Sequence, residues 1–204
     1  MDEVMNLDAL FQRVNDAVDR SAYITPTATV AAPQRAAIQR LIAMIHQPLI
    51  SPTEIAQNID AAYDAGEIDS VHRLSCLHVL AASPNVRDYD EASRLCAEQE
   101  REARRIGGPH LDRNLASVAR HRGVLAYLNR NFGTALSHFF DALEREPSVE
   151  NVGNVLCTLL ALDARAPAEH LMAQCRTMPR PFQAELQRRI AADPDLAALQ
   201  MEAM

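Results

Sequence analysis

Residues 116–147 read ASVARHRGVLAYLNRNFGTALSHFFDALEREP, and the fold is decided in this stretch. Along 112–128, Leu115, Val118, Ala119, Arg122, Leu125 and Ala126 fall on one helical face, spaced by threes and fours. The pattern breaks at Arg130-Asn131 and resumes with Phe132, Ala135, Phe139 and Ala142. Pro147 ends it, because its ring removes a donor and crowds the preceding turn. Two helices joined by so short a turn must run antiparallel. They approach closely only where side chains are small. Gly123 is therefore expected to meet Ala135 and Ala142, while Phe132 and Phe139 fill the wedge towards the next unit.

Outward from this pair, the same grammar continues. Prolines segment the chain at 26, 33, 48, 52, 84, 109, 147, 167, 179, 181 and 194. Between them lie runs of Ala, Leu, Arg, Glu and Gln, the strong helix formers. The spacing predicts helices over 4–20, 34–46, 52–65, 70–82, 89–106, 112–129, 132–146, 149–162, 167–177 and 182–192, with a short tail helix after Pro194. Ser51-Pro52-Thr53-Glu54 carries a start signal: an N-cap Ser, Pro at the first helical position, and Glu three residues after the cap. Ala22 to Val30, with its Thr and Pro, reads as a linker.

Gly123, Phe132, Ala135, Phe139, Ala142 and Pro147 stand without a gap at the offsets that tetratricopeptide repeats use. This stretch strongly resembles that family, whose unit is a helix–turn–helix of about 34 residues. It departs where Ala119 and Arg122 replace a large aromatic and a Leu. Cys157, Ala168, Met172 and Cys175 fit a following unit that ends at Pro179, with one deletion in the turn. Upstream, Tyr89, Ala92, Cys96 and Gln99 fit a degenerate one. Ala92, Ala135 and Ala168 are spaced 43 and 33 residues apart, so the array is irregular. The resemblance implies an all-α fold, a right-handed superhelix of antiparallel helix pairs. It implies repeats at about 70–106, 112–147 and 149–179 and a cap over 181–204, all within a domain 33–204 that follows an N-terminal helix and linker, 1–32.

Composition narrows the function classes. The 204 residues carry 27 acidic against 20 Lys and Arg side chains, a formal charge of −7, which argues against a nucleic-acid binder. Aromatics are 4% with no Trp, so stacking platforms for bases are sparse. No apolar run reaches the roughly 20 residues that span a bilayer, and Met1-Asp2-Glu3-Val4 is acidic where a secretory signal is basic. Cys76, Cys96, Cys157 and Cys175 form no C-x-x-C pair and read as reduced, buried residues of a cytoplasmic protein.

Catalytic chemistry is not visible. His72 and Cys76, four apart, show no third ligand nearby, and the reading is helix-face packing with no metal. Gly107-Gly108-Pro109-His110 is a tight turn and lacks the Gly-Lys-Ser/Thr of a phosphate loop. The mixed-sign run Glu98, Glu100, Arg101, Glu102, Arg104 and Arg105 reads as a salt-bridged exposed face. No cofactor and no enzymatic activity are expected.

What remains is surface. In the family that 116–147 resembles, the first helix of each pair lines a groove that takes extended peptides or helices. The resemblance implies groove positions Ser117, Arg120, Val124, Tyr127 and Leu128 in the best repeat, and Asn151, Asn154, Thr158, Ala161 and Leu162 in the next. The expected function is therefore a protein-interaction module binding a partner protein or peptide. Two alternatives stand beside it. Some bacterial O-antigen ligases, polymerases and glycosyltransferases end in helices similar to these, which implies a soluble, periplasmic region of a membrane enzyme. Small acidic tetratricopeptide proteins also serve as secretion chaperones. For that reading the stripe Val4, Leu7, Leu10, Phe11, Val14 and Val18 on helix 4–20 offers either a cap or a homodimer contact.

Overall fold

In a computed structural model, residues 32–47, 49–81, 83 and 89–202 are described. Nine α-helices occur there: α1 Ala32–Ile45, α2 Pro52–Asp64, α3 Ser70–Ala81, α4 Tyr89–Ile106, α5 Leu111–Leu128, α6 Phe132–Arg145, α7 Val149–Ala161, α8 Arg165–Cys175 and α9 Arg180–Ala192. A 3-10 segment, Pro194–Glu202, follows. No strand occurs among the described residues, so the class is all-α. The expected helix 4–20 and the linker over 22–30 lie outside them.

Most boundaries fall within a residue or two of the periodicity. α8 begins at Arg165 rather than Pro167, and α9 at Arg180 rather than Phe182. Proline is tolerated through the first turn because backbone N–H groups there have no intrahelical acceptor. The tail is 3-10, not α: side chains three apart eclipse in that geometry, which sends both Leu196 and Leu199 into the core. The start of α2 follows the sequence signal. Ser51 Oγ accepts from the Glu54 N–H at 3.1 Å, with Pro52 in the first turn. Ser51→Ala should destabilise the protein by about 1 kcal/mol in urea denaturation, with Ser51→Asp restoring most of it.

The described residues form two compact units, 32–125 and 126–202, and the division falls within α5. In the first, α1 packs on α2 and α3, α2 on α3, and α3 on α4. Leu41, Ile45, Ile55, Ile59, Leu77, Leu80 and Leu95 are its fully buried centre. A smaller cluster of Leu74, Ala103 and Leu115 draws in the start of α5.

The second unit is built around α7. Helices α6, α8 and α9 and the 3-10 segment all pack on it. Its residues Asn151 to Gly153 and Val155 to Leu159 are consequently buried around most of its circumference. Phe139, Leu143, Leu156, Leu171 and Leu196 fill the spaces between. Of the positions expected to be small and enclosed, Ala135 and Ala142 are fully buried in this unit, and Gly123 is buried in the other.

Helix ends add a feature the sequence does not flag. Arg130 after α5 and Asp163 after α7 take left-handed φ of 58° and 56° without being glycine. In each case the next residue's N–H reaches back across the turn, Asn131 to the Ala126 carbonyl at 2.9 Å and Ala164 to that of Leu159 at 2.8 Å. Gly66, φ 71°, does the same after α2 through the Glu67 N–H and the Ala62 carbonyl.

Candidate functional site

In the first unit, α3 presents Val71, Ser75, His78 and Val79 along one face, at i, i+4, i+7 and i+8. Along α5, Ser117, Arg120, His121 and Val124 do the same at i, i+3, i+4 and i+7. The two faces meet where the imidazoles of His78 and His121 lie 5.6 Å apart, tilted at 58°. Around that seam three valines remain open to solvent: Val71 at 58%, Val79 at 37% and Val124 at 40% exposure. Arg120 donates to Ser117 Oγ at 3.2 Å beside them.

From α4 comes the group that organises the seam. Gln99 is fully buried, and its Nε2 donates to the Leu77 carbonyl at 2.8 Å. That bond turns Oε1 towards His121 Nδ1, 3.2 Å away, so the His121 proton sits on Nδ1. Both ring nitrogens of His78 are shielded from solvent and make no hydrogen bond of normal geometry, although Gln99 is close enough to polarise the ring. Burial, with the Arg120 guanidinium adding to it, pushes His78 down to about 4. His121 is pushed down to about 3 by burial, then by His78 and Arg120. Both are neutral at pH 7.

A second polar cluster ties α2, α3 and α4 together. Arg73 reaches Asp60 and Glu98, each at 2.7 Å, and Glu102 at 2.9 Å. Arg105 holds Glu102 from the other side at 2.6 Å and donates to Ser70 Oγ and the Tyr63 hydroxyl. The Tyr63 ring stands 5.5 Å from the Arg73 guanidinium and 5.7 Å from that of Arg105. Arg105 foremost, and Arg73 with it, hold the Glu102 carboxyl below the usual range against the opposing effect of burial. The mixed-sign run of α4 is thus only partly the exposed face the sequence suggests. Glu102 lies inside, because α3 brings Arg73 against it.

The positions expected to line a groove separate into two groups. Ser117, Arg120 and Val124 lie on the α3–α5 face just described. Leu128 is 72% exposed at the end of α5, and Tyr127 is half-buried, its hydroxyl donating to Asp195 at 3.0 Å. Asn151 and Thr158 are fully buried, so neither faces solvent as a groove residue must. Asn151 Nδ2 donates to the Glu146 and Ala142 carbonyls, and Thr158 Oγ1 to that of Asn154. Asn154 accepts from Arg189 Nη2 at 2.8 Å. Sequence reasoning placed these three on an open face because α7 reads as the first helix of a pair. It missed that α9 and the 3-10 segment cover it. The available signal was Gly153, a glycine inside a strong helix, which often marks a close approach.

All four cysteines are free and buried. Desolvation raises Cys76 and pushes Cys96 up to about 11 and Cys175 up to about 12. Cys157 also reaches about 12, through burial first and then Asp193. These thiols stay protonated at neutral pH and are poor nucleophiles. His72 is bonded to Asp69 at 2.7 Å rather than to Cys76. No group of three or more metal-binding side chains occurs among the described residues. No helix among them is long and apolar enough to cross a membrane. Two clefts lie elsewhere: one of about 840 Å³ beside Pro33, Arg40 and Ile68, and one of about 440 Å³ over Met172, Leu186 and Ile190. No family model matches this chain, and no curated protein or solved structure matches it.

Proposed function

We propose that the chain is a non-enzymatic protein-binding module and that the α3–α5 face docks a segment of another protein. The observation that carries this reading is the exposure of Val71 and Val79 on the helix that bears His78 and of Val124 on the helix that bears His121, where Arg120 also bonds Ser117. Apolar side chains grouped on a surface and bordered by polar groups favour association over hydration. The segment would set apolar side chains on the valines and backbone or carboxylate acceptors towards Ser117 and Arg120.

We also infer that the helices stack as tetratricopeptide-like pairs. Helix α1 touches both α2 and α3, and α7 touches both α8 and α9, the neighbour pattern of stacked helix pairs. The left-handed turn residues Arg130 and Asp163 are 33 residues apart, close to the family's repeat length. The non-catalytic reading is supported by protonated thiols and by carboxylates already engaged by arginine.

A capture experiment at neutral pH tests the docking face. The full chain, a Val79→Asp/Val124→Asp variant and a Tyr89→Asp surface control are each verified by circular dichroism and used as bait in one extract. A protein retained by the parent and the control should be held about thirtyfold more weakly by the double variant, the effect of losing a central anchor of roughly 2 kcal/mol. Equal retention on all three baits would falsify the assignment of this face.

A further inference from the structure

We propose that the His78–His121 pair is an acid-operated gate: protonation of the two imidazoles parts α3 from α5 and withdraws the docking face. The withdrawal of docking rests on the function proposed above, whereas the opening of the seam does not.

A positive charge on either imidazole meets no bonded carboxylate among the described residues. The rings are 5.6 Å apart, so two imidazoliums there would repel each other. Arg120 on α5 adds a third cation that acts on both. From α4 the facing group is the Gln99 amide, which is neutral, and its oxygen already takes the one proton that His121 Nδ1 offers. The nearby carboxylates are engaged elsewhere: Glu100 with Arg122 at 2.8 Å and with Arg104, and Glu98, Glu102 and Asp60 with Arg73. Cys76 on α3 and Cys96 on α4 remain neutral thiols and supply no anion. Among the described residues no carboxylate bonds to either imidazole. Relief at His78, whose two ring nitrogens are shielded, comes when water reaches them.

The sign follows from the titration. Each imidazole is held below its ordinary value of 6.5, to about 4 and about 3. Their stabilising contribution is complete above pH 6.5 and is lost as pH falls towards those values. Between pH 7 and pH 5 each histidine should favour the opened form by about twentyfold, and the pair by about five-hundredfold. The carboxylates held low, Glu102 and Glu100 by arginine and Asp69 against burial by hydrogen bonds from His72 and Gln34, lose their contribution only near and below 4.5, below the interval in which the two imidazoles act.

The four thiols provide the readout, two in each unit. The full chain is labelled with 4,4′-dithiodipyridine, which reacts with thiols under acid as well as neutral conditions, and each cysteine is followed by mass spectrometry at pH 7 and pH 5. Rates are normalised to those of the denatured chain at the same pH. Cys76 and Cys96 should gain about five-hundredfold in reactivity, and Cys157 and Cys175 far less. His78→Gln and His121→Gln should each reduce the gain to about twentyfold, and whichever of the two folds suffices for the comparison. Hydrogen exchange should place the added opening in α3 and α5. A rise shared equally by all four thiols, an unchanged rate at Cys76 and Cys96, or a gain that neither glutamine variant reduces overturns the gate. The capture experiment at neutral pH judges the docking face separately, so either idea can fail alone. If labelling shows the opening but capture persists undiminished at pH 5, the gate does not control docking.

Discussion

Arg73→Met will destabilise the first unit by about 3–5 kcal/mol, the cost of removing one partner from an enclosed ion cluster. Arg73 itself is only 14% exposed and bonds to three carboxylates at once. Without it Glu102, 5% exposed, keeps only Arg105, and Glu98 loses its cation. The apolar replacement fills similar space and satisfies none of the remaining oxygens, so desolvation dominates over packing. The pH dependence identifies the cause. Glu102 titrates below its ordinary value in the folded protein, so its contribution is present above about pH 4.5 and is lost as pH falls. Losing Arg73 removes part of that contribution. The gap between parent and variant in urea denaturation should therefore be widest near pH 7 and narrow towards pH 4. A gap that stays constant with pH would assign the loss to packing alone, and a gap under 1 kcal/mol would remove the cluster from the stabilising core. Arg73→Lys should fall between the two, because an ammonium keeps the charge but cannot fork across three carboxylates.

The second large effect concerns Gly153. A Cβ there would stand 2.6 Å from Arg189 Cδ, 2.9 Å from Cζ and closer still to Nε. These atoms lie midway along the Arg189 side chain, with Nη2 anchored to Asn154 at 2.8 Å beyond them. The chain must leave, and α9 loses its polar attachment to α7. Overpacking costs about 1–3 kcal/mol and the lost charge-assisted hydrogen bond about 1.5–3. Alanine's helix propensity returns about 1. Gly153→Ala should thus destabilise the protein by about 2–4 kcal/mol, although alanine is the better helix former. Adding Arg189→Ala removes the obstacle, and most of the loss should be recovered in a double-mutant cycle. If the two changes are simply additive, Arg189 is not what excludes a side chain at position 153.

Both sites were only half legible in the sequence. Arg73, Asp60, Glu98 and Glu102 lie on three helices, and nothing in their spacing says that the helices bring them within 3 Å. The run containing Glu98 and Glu102 read as a solvated face because charge patterning along one helix cannot see what packs against it. Gly153 was visible as an anomaly in a helix without naming Arg189, which is 36 residues away. His78 and His121 were visible as histidines and nothing more. Their shared seam depends on Gln99 from a third helix, and that juxtaposition gives them their acid sensitivity. Ser117, Arg120 and Val124 were expected as groove positions of α5; Val124 is exposed there, and Ser117 and Arg120 are half-buried.

By itself the sequence determined the helical class, the approximate ends of the described helices, the cap at Ser51 and the burial of Ala135, Ala142, Cys157 and Cys175. These are local matters: periodicity, capping and side-chain size act within a turn or two of the chain. Only the tertiary structure decided that Asn151 and Thr158 lie inside, that Glu102 is enclosed and that two imidazoles face each other. Those outcomes depend on which helix covers which face, and that choice is made by contacts between residues far apart in the chain, where a one-dimensional pattern carries no distance.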